Sequence, residues 1–405
     1  MKQSWLIVAL INLLIATAMG ALLRFAFVEE IAWIKYKNVL HAHSHVAMLG
    51  WIYMALYALL IHAFLSPHQQ RSKAYPNLFW LTQFSVLGML FSFPVQGYGP
   101  VSIAFSTLHI VLSYIFLGWF WVDMGKHATF SGRLVRTALV FMLVSTLGVW
   151  AMGPIMATSL RGSAFYYMAV QFYLHFQFNG WFLFAVLALF FKYMETREVL
   201  FAERQQKVFL GLLLVACVLT YALAVAWSQP LLSVFAINSL GVLCQFAALL
   251  AFVRMVWPQR QAILQQFGYL DGLMLRVAFY AFVLKIIIQT AVVFPFVAEA
   301  AYTIRNYVIG FIHLVLLGAV TGFLLSYIIS HGLLPGRHRL FRLGLWSIGL
   351  GFALSEGILF LQGTLLWGAK GFLPYYYEGI FSVSALIPFG VALLLVGVFF
   401  DWKKA

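Results

Sequence analysis

Charged residues, prolines and glycines break this chain into apolar stretches, and twelve of these reach the length a bilayer demands. A hydrocarbon core of ~30 Å takes about 20 residues of helix to cross. The stretches lie near 5–27, 39–65, 77–95, 101–122, 134–156, 164–192, 208–228, 231–256, 273–297, 304–330, 341–364 and 378–400. A membrane barrel would instead alternate apolar and polar residues on strands of about ten. The pattern therefore predicts an all-α polytopic membrane protein of twelve transmembrane helices in one transmembrane domain spanning 1–405. Its first apolar stretch, Trp5–Leu23 after Lys2, is longer than a signal-peptide core and closes on no small-x-small site, so it reads as the first span.

Composition sharpens this picture. Of 405 residues 64% are hydrophobic and 9% charged, and the mean hydropathy is +0.95, which excludes a soluble domain. A net charge of +14 raises nucleic acid as a partner, but the charges sit in short loops between apolar runs. There they set topology. Eighteen Lys and Arg fall on one side and six (Arg24, Lys35, Lys37, Arg161, Arg305 and Lys370) on the other, an expectation of both termini in the cytoplasm of an inner-membrane protein. The lipid bilayer is the one partner this implies. Cys217 and Cys244 both lie within apolar runs and form no disulfide framework or CxxC site.

Three segments resemble one another. Asn38, His45 and Gly50 in "KNVLHAHSHVAMLG" have the spacing of Asn306, His313 and Gly318 in "RNYVIGFIHLVLLG". In "YLHFQFNGW", His175 precedes Gly180–Trp181 as His45 precedes Gly50–Trp51. These histidines fall in spans 2, 6 and 10, separated by 130 and 138 residues, a period of four spans. The expectation is a threefold four-helix pseudo-repeat, roughly 1–130, 131–258 and 259–405.

Ionisable side chains inside spans are costly and mark functional sites. On a helix His41 and His45 share a face while His43 points roughly the opposite way. Neutral imidazole is a metal ligand and an axial ligand of haem. The cluster at 41, 43 and 45 reads either as ligands or as a hydrated, pH-sensitive helix entrance. His313 reads as a ligand through its likeness to the His45 segment. His175, beside Gln171, Gln177 and Asn179, is a ligand or a member of a satisfied polar network. His109 in span 4 is a further metal-ligand candidate, whereas His62, His68, His127, His331 and His338 lie at span ends and read as solvated. Lys285 and Glu356, deep in apolar runs, are candidates for an ion pair, a proton relay or a contact to a cofactor carboxylate.

Twelve spans, histidines in spans 2 and 10 and the threefold repeat resemble the catalytic subunit of the haem–copper oxidase superfamily. "NVLHAHSH" is similar to its span-2 signature and "NYVIGFIH" to its span-10 signature. The early His-x-His and the later "IHLVLLGAVTGFLLSYIISHG" are also similar to the NnrS family of haem- and copper-containing membrane proteins linked to nitric oxide stress. The resemblance implies an oxidase-like fold, a haem of b type held by His313 and by His43 or His45, copper as a further candidate, and a redox donor as partner. The departures concern the second metal centre. Where the family has the first histidine of its span-10 pair this chain has Phe311, and span 7, "VFLGLLLVACVLTYALAVAWSQ", contains no histidine. His175 matches the span-6 ligand alone, so a working terminal oxidase or reductase is not expected. The competing expectation is a secondary transporter without haem, with Lys285 and Glu356 as coupling residues.

Overall fold

The computed structural model describes residues 3–125, 128–336 and 338–402. Lys2, Lys126, His127, Arg337, Lys403 and Lys404, which enter the charge and histidine readings above, lie outside them. Among the described residues the regular structure is helical, with no strand. Eleven helices are long and apolar enough to cross a membrane: α1 (Gln3–Phe25), α2 (Tyr36–Phe64), α3 (Ala74–Gln96), α4 (Pro100–Asp123), α5 (Phe130–Met156), α6 (Ala164–Thr196), α7 (Glu203–Ala226), α8 (Leu232–Leu264), α10 (Arg305–Ser330), α11 (Arg339–Trp367) and α12 (Tyr376–Asp401). The ninth expected span falls on α9 (Tyr269–Ala291), which is not among the eleven. It ends earlier than the apolar run because Pro295 opens a separate short helix, Pro295–Thr303. Proline suits a first helical turn and cannot continue the helix before it.

Helices differ sharply in burial. The most apolar stretches of α2, α6 and α10 are 83%, 89% and 67% buried, against 33–44% for the other eight. Helices hydrophobic all round belong inside a bundle, and those with one face turned outward meet lipid. The three buried helices are the three that carry His45, His175 and His313.

Each of these helices is also interrupted in the same way. π-helical turns at Val46–Ile52, Phe176–Phe182 and Leu314–Thr321 begin at the residue after His45, His175 and His313, and they are the only π-helical segments among the described residues. Each turn contains the glycine five residues beyond its histidine. A Cβ on Gly50 would lie 2.9 Å from a Val86 methyl and 3.2 Å from Asn12, and one on Gly180 would lie 2.6 Å from Phe141 Cβ. Neighbouring helices approach so closely there that only glycine fits.

The chain forms two compact units. Residues 1–126, 269–274 and 324–405 make the first, in which α1 packs along the π-helical turn of α2. Trp5 of α1 stacks on Phe79 of α3 at 4.8 Å. In the same unit α11 and α12 meet through small residues, and a Cβ on Gly344 would stand 2.5 Å from the Gly390 carbonyl. Residues 127–268 and 275–323 make the second unit, where α5 runs along α6 and α7 packs on α8.

Candidate functional site

In the first unit α2 presents its histidines to two sides. His41 and His45 share an aromatic nook: the His45 ring lies 4.3 Å from Phe93, and His41 meets Tyr98 edge-on at 4.6 Å. His45 Nδ1 is 2.8 Å from the His41 carbonyl one turn earlier. Only an Nδ1–H can make that bond, so Nε2 keeps its lone pair. His43 faces α1 instead. Its Nδ1 is 2.8 Å from the Ala16 carbonyl, and a Cβ on Gly20 would touch its Cε1 at 3.0 Å. The Ala16 carbonyl can accept only from an Nδ1–H, so this bond selects the same tautomer. Second-partner bonds of this kind orient histidines that bind metals.

The π-helical turn below His45 redirects backbone carbonyls to side chains. A π turn breaks the regular i to i−4 ladder, leaving acceptors for outside donors. Gly50 O accepts from Asn12 Nδ2 at 2.9 Å, and His109 of α4 hydrogen-bonds the Leu49 backbone. His109 is 3% exposed, its ring packs edge-on to Tyr53 at 4.7 Å, and its Nε2 has no hydrogen-bond partner. Asn12 and Gln83 bond each other reciprocally, at 2.8 and 3.2 Å. Sequence reasoning passed over this pair because it looked for ionisable groups. The signal was present as two amides inside the runs "ALINLLIA" and "WLTQFSV".

His175, in the second unit, has both ring nitrogens engaged. Nε2 is 2.7 Å from the Cys217 carbonyl of α7, and Asn179 Nδ2 approaches Nδ1 at 3.5 Å. Ligation of a metal by His175 would cost one of these bonds, while the side-chain oxygens of Gln177 and Asn179 beside it are buried without a partner. His313 ends the helical segment Arg305–His313 and leads into the third π-helical turn, where Thr321 Oγ1 donates to Leu316 O, five residues back, at 2.8 Å.

Lys285 and Glu356 have different surroundings. Glu356 of α11 is 7% exposed and lies in the field of Arg24 of α1, which also hydrogen-bonds Tyr376. Lys285 has an aromatic face for a neighbour rather than a carboxylate: its Nζ stands 5.8 Å from the centre of the Phe311 ring. Two of the histidines read as solvated, His62 and His331, lie near each other in the first unit, with ring centres 5.9 Å apart. Among the described residues no group of three or more His, Cys, Asp or Glu side chains is arranged to hold a metal ion. The chain matches no family model and no curated protein.

Proposed function

We propose that this is a haem-binding membrane protein of twelve spans built from three four-helix repeats, with a redox role related to nitric oxide or electron transfer. The observation that carries the reading is the setting of His43. Its Nδ1–H is held by the Ala16 carbonyl, and its ring lies over Gly20, where no side chain competes for space. A haem-ligating imidazole must be held in a fixed orientation, and the Ala16 carbonyl holds His43 in that way. This favours His43 over His45, whose ring is packed on Phe93 and Tyr98. The oxidase-like resemblance makes His313 a further candidate haem ligand. Arg24 stands two turns from Ala16 on the same face of α1, as a cation for a haem carboxylate.

The repeat rests on the three buried helices and their three histidine-headed π-helical turns, spaced four spans apart. Counting α9 as a span gives twelve. Bound haem would supply one-electron transfer. The protein's part is to fix the imidazoles, exclude water and balance the haem carboxylates. Copper belongs to the proposal only as a second metal, for which His109, with its buried free Nε2, is the available ligand.

The test is the oxidised and dithionite-reduced absorption spectrum of the purified chain, with a pyridine haemochrome to count haem. The expected result is a Soret band and a sharp reduced α-band that disappear in His43→Ala and persist in His45→Ala. A colourless protein from haem-replete cells would overturn the proposal in favour of a solute transporter.

A further inference from the structure

Lys285 lies in the second unit, within α9, and is 2% exposed. Its Nζ has no hydrogen-bond acceptor. One turn along the same helix Gln289 is 5% exposed, and its Oε1 also lacks a partner. An ammonium out of water needs a counter-charge or its own set of acceptors. Among the described residues of the second unit, none of the four carboxylates bonds Lys285. Glu195 is bonded to Ser131, Glu198 and Glu203 border the connection between α6 and α7, and Glu299 is exposed on the short helix after α9.

The same unit holds a pocket. Ala164, Tyr167, Trp227 and Ser228 line a pocket of about 250 Å³ where α6 begins and α7 has just ended. Ala164 and His175 are eleven residues apart, just over three turns, so both lie on one face of α6. Tyr221 stands between them, its hydroxyl donating to Met168 O at 2.9 Å and its ring 5.8 Å from His175. His175 then bonds the Cys217 carbonyl, and both residues lie within electrostatic reach of Lys285. Packed contacts thus run from beside the pocket to His175 and Cys217, and both of these feel the Lys285 amine.

We propose that Lys285 is the centre of a binding site for a small, weakly hydrated monovalent anion, reached through the Tyr167–Trp227 pocket. The surroundings select this class. One ammonium beside the Phe311 face repays the loss of a loosely held hydration shell, whereas a divalent or strongly hydrated anion would find too few donors to replace its water. The anion supplies the counter-charge that the unit's own side chains do not.

Radiolabelled iodide is a suitable probe, measured by scintillation proximity on the detergent-purified full-length protein, with nitrate and sulfate as competitors. The expected result is saturable binding displaced by nitrate and not by sulfate, weakened at least tenfold in Lys285→Gln and kept within about threefold in Lys285→Arg. Ala164→Phe, which narrows the pocket without touching Lys285, should slow association at least fivefold. Absence of saturable binding in the wild-type protein, or equal binding in wild type and a folded Lys285→Gln, would overturn the site. An unchanged association rate in Ala164→Phe would overturn the route. Haem content read on the same samples stands apart from both, so loss of the anion site is distinguishable from loss of the haem reading.

Discussion

Asn12 ties three helices together through one amide, donating to the Gly50 carbonyl of α2 and exchanging bonds with Gln83 of α3. Removing it strands a buried carbonyl and a buried amide, and an unsatisfied buried group costs roughly 1–3 kcal/mol. Interhelical hydrogen bonds in membranes are worth less, about 0.6 kcal/mol on average. The stranding term should win here, because Asn12 is 1% exposed and Gln83 6%. Asn12→Leu should therefore lower the thermal midpoint in detergent by several degrees. Adding Gln83→Leu should cost less than the two single changes summed, since replacing both partners removes the stranded groups. Strict additivity would show that the pair is not coupled. The residues on which haem and anion binding are proposed, His43 and Lys285, owe their chemistry to similar local facts: a carbonyl that chooses a tautomer, and a buried amine without an acceptor.

The helix is the scale at which the glycine spacing acquires a meaning. His-x4-Gly was legible as a recurring spacing, but the π-helical turn it encloses was not. No propensity of the residues between His45 and Gly50 marks a widened turn, and the close approach of α1 and α3 at Gly50 exists only in the fold. Gly50→Val should destabilise by about 1–3 kcal/mol, because its side chain would overlap Val86 and Asn12 in a packed layer. Gly211 of α7 has nothing within 4 Å of an added Cβ, so Gly211→Ala should be neutral or slightly stabilising. Thermal unfolding of the two variants side by side checks the contrast. A similar change in both would mean that close packing at the π-helical turn does not set the cost.

For the molecule as a whole, the number of crossings decides which way each site faces. If α9 crosses the bilayer, twelve spans return the C-terminus to the side of the N-terminus; with eleven the termini lie on opposite sides. The Lys and Arg distribution favours the first arrangement, with both in the cytoplasm. A phosphatase fused after residue 405 should then be inactive, and one inserted at 158–162, between α5 and α6, active. An active C-terminal fusion would leave the protein with eleven crossings.

The sequence by itself determined the class of this protein, its helices and the three histidine segments, because length and hydropathy respond to the bilayer and not to neighbouring helices. It also separated His43 from His41 and His45, since helical period alone does that. Three things were settled only when the helices packed. The burial of α2, α6 and α10 depends on which helices surround them, since α1, α7 and α12 are at least as apolar by hydropathy yet stay exposed to lipid. Engagement of both His175 nitrogens requires a carbonyl from α7, which no local pattern encodes. The ninth span ends at Ala291 rather than running to 297, and Lys285 faces Phe311, because a proline stops one helix and packing chooses the neighbour of the other. Hydrophobicity is a property of single residues and survives in the linear chain; the partner of a buried polar atom is a property of pairs far apart in sequence and exists only in the fold.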